Sequence, residues 1–227
     1  MDFARTNKSQ IAVKLLIIAA TMSVHDGRLA AQQPVYLNVQ ITADEMCCQG
    51  CAQKIAAQLY AAPGVTAVVA DVPNRTVKVT AKPSPKLTLE RLWRAVEKGK
   101  GSPSKLVTAQ ATYTLTRAEK LKPSERLAPG QYIVELPQLP DAAHVRKTIS
   151  LLQAIPGVQD ITPDASTRTL KIQSAIDKPL SEWTLIRVVK QSGQSPLLVA
   201  GPHGRLTIEY AAQRPGHTAA HPSRQIF

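Results

Sequence analysis

Residues 36–42 alternate, with Leu37, Val39 and Ile41 on one side and polar residues between, the period of a half-buried strand. Over 50–61 the period lengthens: Ala52, Ile55, Ala56 and Leu59 recur at helical spacing, and Pro63-Gly64 ends the run. Residues 65–72 and 76–81 read as two strands joined by the turn Pro73-Asn74-Arg75. Helical spacing returns over 87–96 with Leu89, Leu92, Trp93 and Val96, and the β-rich stretch 106–115 closes the set as one strand. The order is βαββαβ, the split βαβ of the ferredoxin-like fold, and it predicts a four-stranded antiparallel sheet with two helices on one face.

The pattern then occurs again. Residues 63–79 align without a gap to 156–172, an offset of 93, with seven of 17 positions identical: Pro63, Gly64, Val65, Asp71, Arg75, Thr76 and Lys78. The same offset matches Leu87, Leu92, Arg94, Val96, Ser102 and Pro103 to Leu180, Leu185, Arg187, Val189, Ser195 and Pro196. One register sustained over that length marks an internal repeat. The fold class is therefore α+β, as two tandem ferredoxin-like βαββαβ units. Val145, Ile149, Leu152 and Ile155 enlarge the apolar stripe of the second unit's first helix. Gly201-Pro202-His203-Gly204 interrupts its last strand. The expected organisation is a segment 1–31, a first unit at 32–115, a linker at 116–129, a second unit at 130–211 and a disordered tail at 212–227.

Residues 1–31 read as an export signal, because Arg5, Lys8 and Lys14 precede an apolar stretch at 15–24. That stretch falls short of the roughly 20 residues of a membrane span. The expected location is the periplasm or the secreted fraction, with membrane attachment only if the segment stays uncleaved. The net charge is +12, but the basic residues are scattered and aromatics make up only 4% of the chain. No basic run with interleaved stacking rings stands out, which argues against nucleic acid as a partner.

The three cysteines, Cys47, Cys48 and Cys51, fall within five residues. A disulfide framework spreads its cysteines along the chain, so clustering argues for a site. Cys48 and Cys51 are i and i+3 at a strand-to-helix turn, where both sulfurs can converge on one ion. The unpaired amides and dipole of a helix start favour thiolates. Two thiolates suit a soft ion: Cu(I) first, with Hg(II) or, given further ligands, Zn(II) as alternatives.

Met46, Cys48 and Cys51 form M-x-C-x-x-C within a βαββαβ unit, and Pro63-Gly64-Val65 and Asp71 follow downstream. In these features residues 35–115 resemble the heavy-metal-associated (HMA) family of copper chaperones and metal-pumping ATPase domains. The resemblance implies Cys48 and Cys51 as metal ligands, Met46 as a buried prop for the loop, and a metal-donor or metal-acceptor protein as partner. It also places Lys100 where many family members carry a Lys or an aromatic in the loop after the second helix; there it is either a charge that offsets an anionic metal–thiolate centre or a solvated loop lysine. Where the family usually has Thr or Ser, this chain has Cys47, either an auxiliary third thiolate or a bystander, since adjacent residues point apart.

At the places of Cys48 and Cys51 the second unit has Asp141 and His144, which read as a degenerate site with Asp141 as a helix N-cap. His217 and His221 lie in the tail. No nucleophile–base set or phosphate-binding glycine loop is present, so the expectation is a non-enzymatic metal-binding or transfer protein. The alternatives are a thiol–disulfide redox protein and an interaction module with a vestigial site.

Overall fold

The computed structural model describes residues 36–137 and 142–211. Residues 1–31, read above as an export signal, Asp141, and the tail with His217 and His221 lie outside the described residues. Among the described residues no helix is long and apolar enough to cross a membrane.

The first unit begins with β1 (Leu37–Ala43), whose Val39, Ile41 and Ala43 are buried while Asn38 and Gln40 are exposed. Next come α1 (Gln49–Tyr60), β2 (Val65–Asp71), β3 (Thr76–Ala81) and α2 (Leu89–Lys98). Helix α1 buries Ala52, Ile55 and Leu59. Helix α2 starts where the Thr88 side chain accepts from the Arg91 amide, and it buries Leu92, Trp93, Ala95 and Val96. Glu90 in its first turn and Lys98 in its last complement the helix dipole.

The closing segment differs from the single strand expected over 106–115. It forms two strands, β4 (Pro103–Val107) and β5 (Ala111–Arg117). The turn between them is made by a side chain: buried Thr108 accepts through its hydroxyl from the amides of Gln110 and Ala111 and donates to the Ala111 carbonyl. The segment 116–129 starts inside β5 and continues through 3-10 turns at Ala118–Lys120 and Pro123–Glu125.

The second unit repeats the series as β6 (Gln131–Glu135), α3 (Ala142–Gln153), β7 (Val158–Asp164), β8 (Thr169–Ser174), α4 (Glu182–Gln191), β9 (Leu198–Gly201) and β10 (Gly204–Tyr210). Here too the expectation is corrected: the Gly201–Gly204 interruption is a tight turn between two strands, not a flaw in one. Gly204 holds φ +143°, and a Cβ there would stand 2.3 Å from the Thr116 carbonyl oxygen, so this turn requires glycine. In α3, Leu152 is buried while Val145 and Ile149 are half-buried; Ile155, expected in the helix, lies half-buried just past its end at Gln153. Loop contacts keep the offset as well. Arg75 and Arg168 both take left-handed φ (50° and 56°) and donate to the carbonyls of Asp44 and Pro137.

Both repeats belong to one compact unit. Among the described residues, the ten strands form one antiparallel sheet in the order β2-β3-β1-β4-β5-β10-β9-β6-β8-β7. Each half keeps the ferredoxin-like order, so two separate four-stranded sheets give way to one sheet of twice five. The halves meet through β5 and β10, paired along their whole length from Gly204↔Arg117 to Tyr210↔Ala111. The middle pair is Thr114↔Thr207, which are equivalent residues of the two repeats. A pseudo-twofold axis therefore passes between these threonines, and the interface is isologous in the manner of a symmetric dimer.

Side chains of α2 and α4 reinforce this junction. The Trp93 and Trp183 rings lie 5.4 Å apart and Tyr113 lies 5.2 Å from Trp183. Ser181 donates to Glu90, and Lys190 donates to the Tyr113 hydroxyl at 2.7 Å. Tilted aromatic pairs of this kind add about 0.5–1.5 kcal/mol each beyond burial. Trp183→Ala is expected to cost about 3–5 kcal/mol and to loosen one half from the other. Urea unfolding followed by Trp93 fluorescence and by far-UV circular dichroism checks this; coincident transitions at an unchanged midpoint would contradict it.

Candidate metal centre

The stretch from Ala43 to Cys48 is held from outside itself. The Ala43 amide donates to the Arg75 carbonyl (2.8 Å), that of Asp44 to Ser102 (3.1 Å) and that of Glu45 to Gly101 (3.1 Å). Ser102 and Ser104 hydroxyls donate to the carboxylates of Glu45 and Asp44. Met46 is fully buried and Cys47 donates its amide to the Glu45 carbonyl, so the chain turns tightly just before the helix. The 99–102 loop fits beneath because it is built from glycine. A Cβ on Gly99 would stand 2.7 Å from the Ile55 Cα, and one on Gly101 would meet Val96, Ile55 and Ala43 at 2.7–3.2 Å.

Cys48 is the N-cap of α1. Its backbone is extended (φ −152°, ψ 167°) and its sulfur accepts from the Cys51 amide at 3.4 Å, occupying one of the orphan donors of the first turn. Cys48 Sγ lies 3.1 Å from Cys51 Sγ, and Cys47 Sγ lies 3.8 Å from it. All three sulfurs fall within 4.8 Å of one another. The thiols are free; Cys47 and Cys48 are exposed and Cys51 is half-buried. Cys47 does not point away from the pair. The adjacency argument assumes an extended chain, and the tight turn at 45–47 removes that assumption.

Cys48 and Cys51 are not equivalent. In the neutral state Cys48 donates to Cys51. Once Cys48 has ionised, the Cys51 thiol and then the Cys51 amide donate to it, and they hold its pKa below the usual thiol value. Cys51 is pushed up, first because its proton serves Cys48 and then by Cys47. Of this pair, Cys48 therefore ionises before Cys51.

Lys100 is exposed, with left-handed φ of 58°, in the loop that receives the Asp44 and Glu45 amides. His144 is exposed on α3, and its carbonyl accepts from Thr148. Among the described residues, Cys47, Cys48 and Cys51 make the cluster of three metal-ligating side chains. Pattern reading missed Arg75, Gly99 and Gly101 as supports of the loop. Arg75 had a signal, its identity with Arg168 in the repeat.

The family model of the heavy-metal-associated domain matches residues 40–102, which span the cysteine loop, α1, the β2–β3 hairpin, α2 and the glycine loop. Residues 40–102 are a heavy-metal-associated domain. The matched stretch lies within the first repeat. Two solved structures of the soluble N-terminal region of the P-type ATPase CopA from Bacillus subtilis are similar to the chain at 15% identity. One covers 81% of this chain and 97% of its own at TM-score 0.30; the other covers 80% and 98% at 0.31. A regulatory domain of aspartate kinase from Porphyromonas gingivalis is similar at 12% identity, covering 69% and 90%, with TM-score 0.24. No curated protein matches the sequence. The cysteine cluster of the heavy-metal-associated domain supplies sulfur donors, so metal binding is the chemistry it is equipped for.

Thiolate is the reactive form of cysteine. With Cys48 ionising below the usual range and Cys51 above it, iodoacetamide should label Cys48 ahead of Cys51, and Cys51 should catch up only as pH rises. Peptide mapping of protein quenched at intervals measures this; Cys51 labelled first would contradict the assigned order.

Proposed function

We propose that this protein is an exported, non-enzymatic carrier of a soft metal ion, Cu(I) before others, bound by Cys48 and Cys51 and exchanged with a metal-donor or metal-acceptor protein. The observation that carries the reading is the pair of free sulfurs, 3.1 Å apart at the start of α1, with Cys48 exposed. Thiolate sulfur favours Cu(I) over hard cations. Hg(II) suits the same donors, while Zn(II) takes four ligands in closed sites. A bis-thiolate with Cu(I) carries a net charge of −1, and a cation such as Lys100 on the neighbouring loop lowers its energy.

Exchange follows from exposure. A partner's thiolate can approach the ion at the loop without either protein unfolding, and the ion passes as one sulfur after another is replaced. Oxidation of Cys48 and Cys51 to a disulfide would remove the donors, so the carrier works only with reduced thiols. Export rests on the pattern of residues 1–31, and the intact mass of protein recovered from the producing cells tests it: a chain lacking that segment is expected.

Titration of the reduced protein with Cu(I) against a chromophoric chelator should show about one ion per chain, and Cys48→Ser/Cys51→Ser should abolish it. Equal uptake by the double variant would remove the reading.

A further inference from the structure

We propose that Cys47 is a built-in third ligand, so that the centre holds its ion by three thiolates from one chain and retains it against exchange. This rests on the metal–thiolate reading above and specifies its coordination.

The argument is geometric. With a metal–sulfur bond of about 2.3 Å, two sulfurs in line across an ion stand about 4.6 Å apart, and three in a plane around it stand about 4.0 Å apart. Cys48 and Cys51 are separated by 3.1 Å. A linear site requires them to open by about 1.5 Å and a trigonal site by about 0.9 Å, given that bond length. Cys47 already lies 3.8 Å from Cys51, close to the trigonal edge, and the whole triangle closes within 4.8 Å. The three-thiolate arrangement therefore asks for less movement, in a loop whose backbone is tied down on both sides.

The placement of Cys47 is built into the fold. Buried Met46 and the hydrogen bond from the Cys47 amide to Glu45 fix the backbone that carries it. Its sulfur is exposed, so its contact near Cys51 does not come from packing in the core.

The consequence is functional. A two-coordinate soft ion leaves a position open for an entering thiolate. Here Cys47 fills it, and an acceptor must displace a ligand before it can add one. The chain is thereby suited to holding an ion that accepts three thiolates, Cu(I) or Hg(II), and to giving it up slowly. A Zn(II) ion in this cluster would still lack a fourth ligand.

The test compares the full reduced chain with Cys47→Ser, each loaded with one equivalent of Cu(I). X-ray absorption should count three sulfur neighbours in the former and two in the variant, and a competing chelator should strip the variant about tenfold faster. Two sulfur neighbours in both, with equal stripping rates, overturns the role of Cys47 and leaves the Cys48/Cys51 carrier standing. Failure of both proteins to bind Cu(I) overturns the carrier reading, and this inference falls with it. Because Cys47 is exposed, the variant should fold; an unchanged far-UV spectrum and retained uptake of one ion confirm that the comparison is sound.

Discussion

The sulfurs take their positions from a main chain that is fixed by other parts of the unit. Ala43, Asp44 and Glu45 donate their amides to Arg75, Ser102 and Gly101, so the turn between β3 and β2 and the loop after α2 both set the path into α1. Arg75 also donates its guanidinium to the Asp44 carbonyl. Two segments distant in sequence thus position three cysteines that lie within five residues. A cluster of thiols on a free loop would lose conformational entropy each time it gathered on an ion; here the fold has already ordered the backbone.

The same scaffold in the second half shows which parts serve the fold and which serve the cysteines. Arg168 repeats the tie of Arg75, and Leu136 repeats that of Ala43. What changes is the seam between the helices. Ile55 against Gly99 in the first unit becomes Thr148 against Ser192 in the second, with a buried hydroxyl–hydroxyl bond of 2.8 Å. Gly101, which lets the loop pass beneath the cysteine turn, has Gln194 as its counterpart. At this seam and the loop after it, the tight glycine packing of Gly99 and Gly101 is replaced in the second half by Ser192 and Gln194. The second half keeps the strands and helices without it.

Much of this was legible in the pattern of residues. Periods of two and of 3.6, with the turn residues of the hairpin, located the two α-helices and the first three strands of the first unit, and the repeat register carried them to the second. The fifth strands were hidden for different reasons. Thr108 turns the chain through its side chain, in a run with neither Gly nor Pro to mark the turn. At Gly201–Gly204 the same residues that break a strand also make a hairpin, and local sequence does not separate the two. The pairing of β5 with β10 is non-local and leaves no period. The placement of Cys47 beside Cys51 was not legible, because alternation holds in a strand and fails in the turn at 45–47.

The pseudo-twofold junction supplies a physical reason for a second unit without cysteines. A lone first unit would end in β5 as an edge strand, with a row of unpaired amides and carbonyls open to another chain. Pairing β5 with its own equivalent, β10, closes that edge within one polypeptide, and Trp93, Trp183 and Tyr113 bury the helices above it. An intramolecular partner also removes the dependence on protein concentration that a dimer of single units would have. Selection on the second half then acts on strand pairing and core packing. That role asks for no sulfur, and Asp141 and His144 stand where the first half has Cys48 and Cys51.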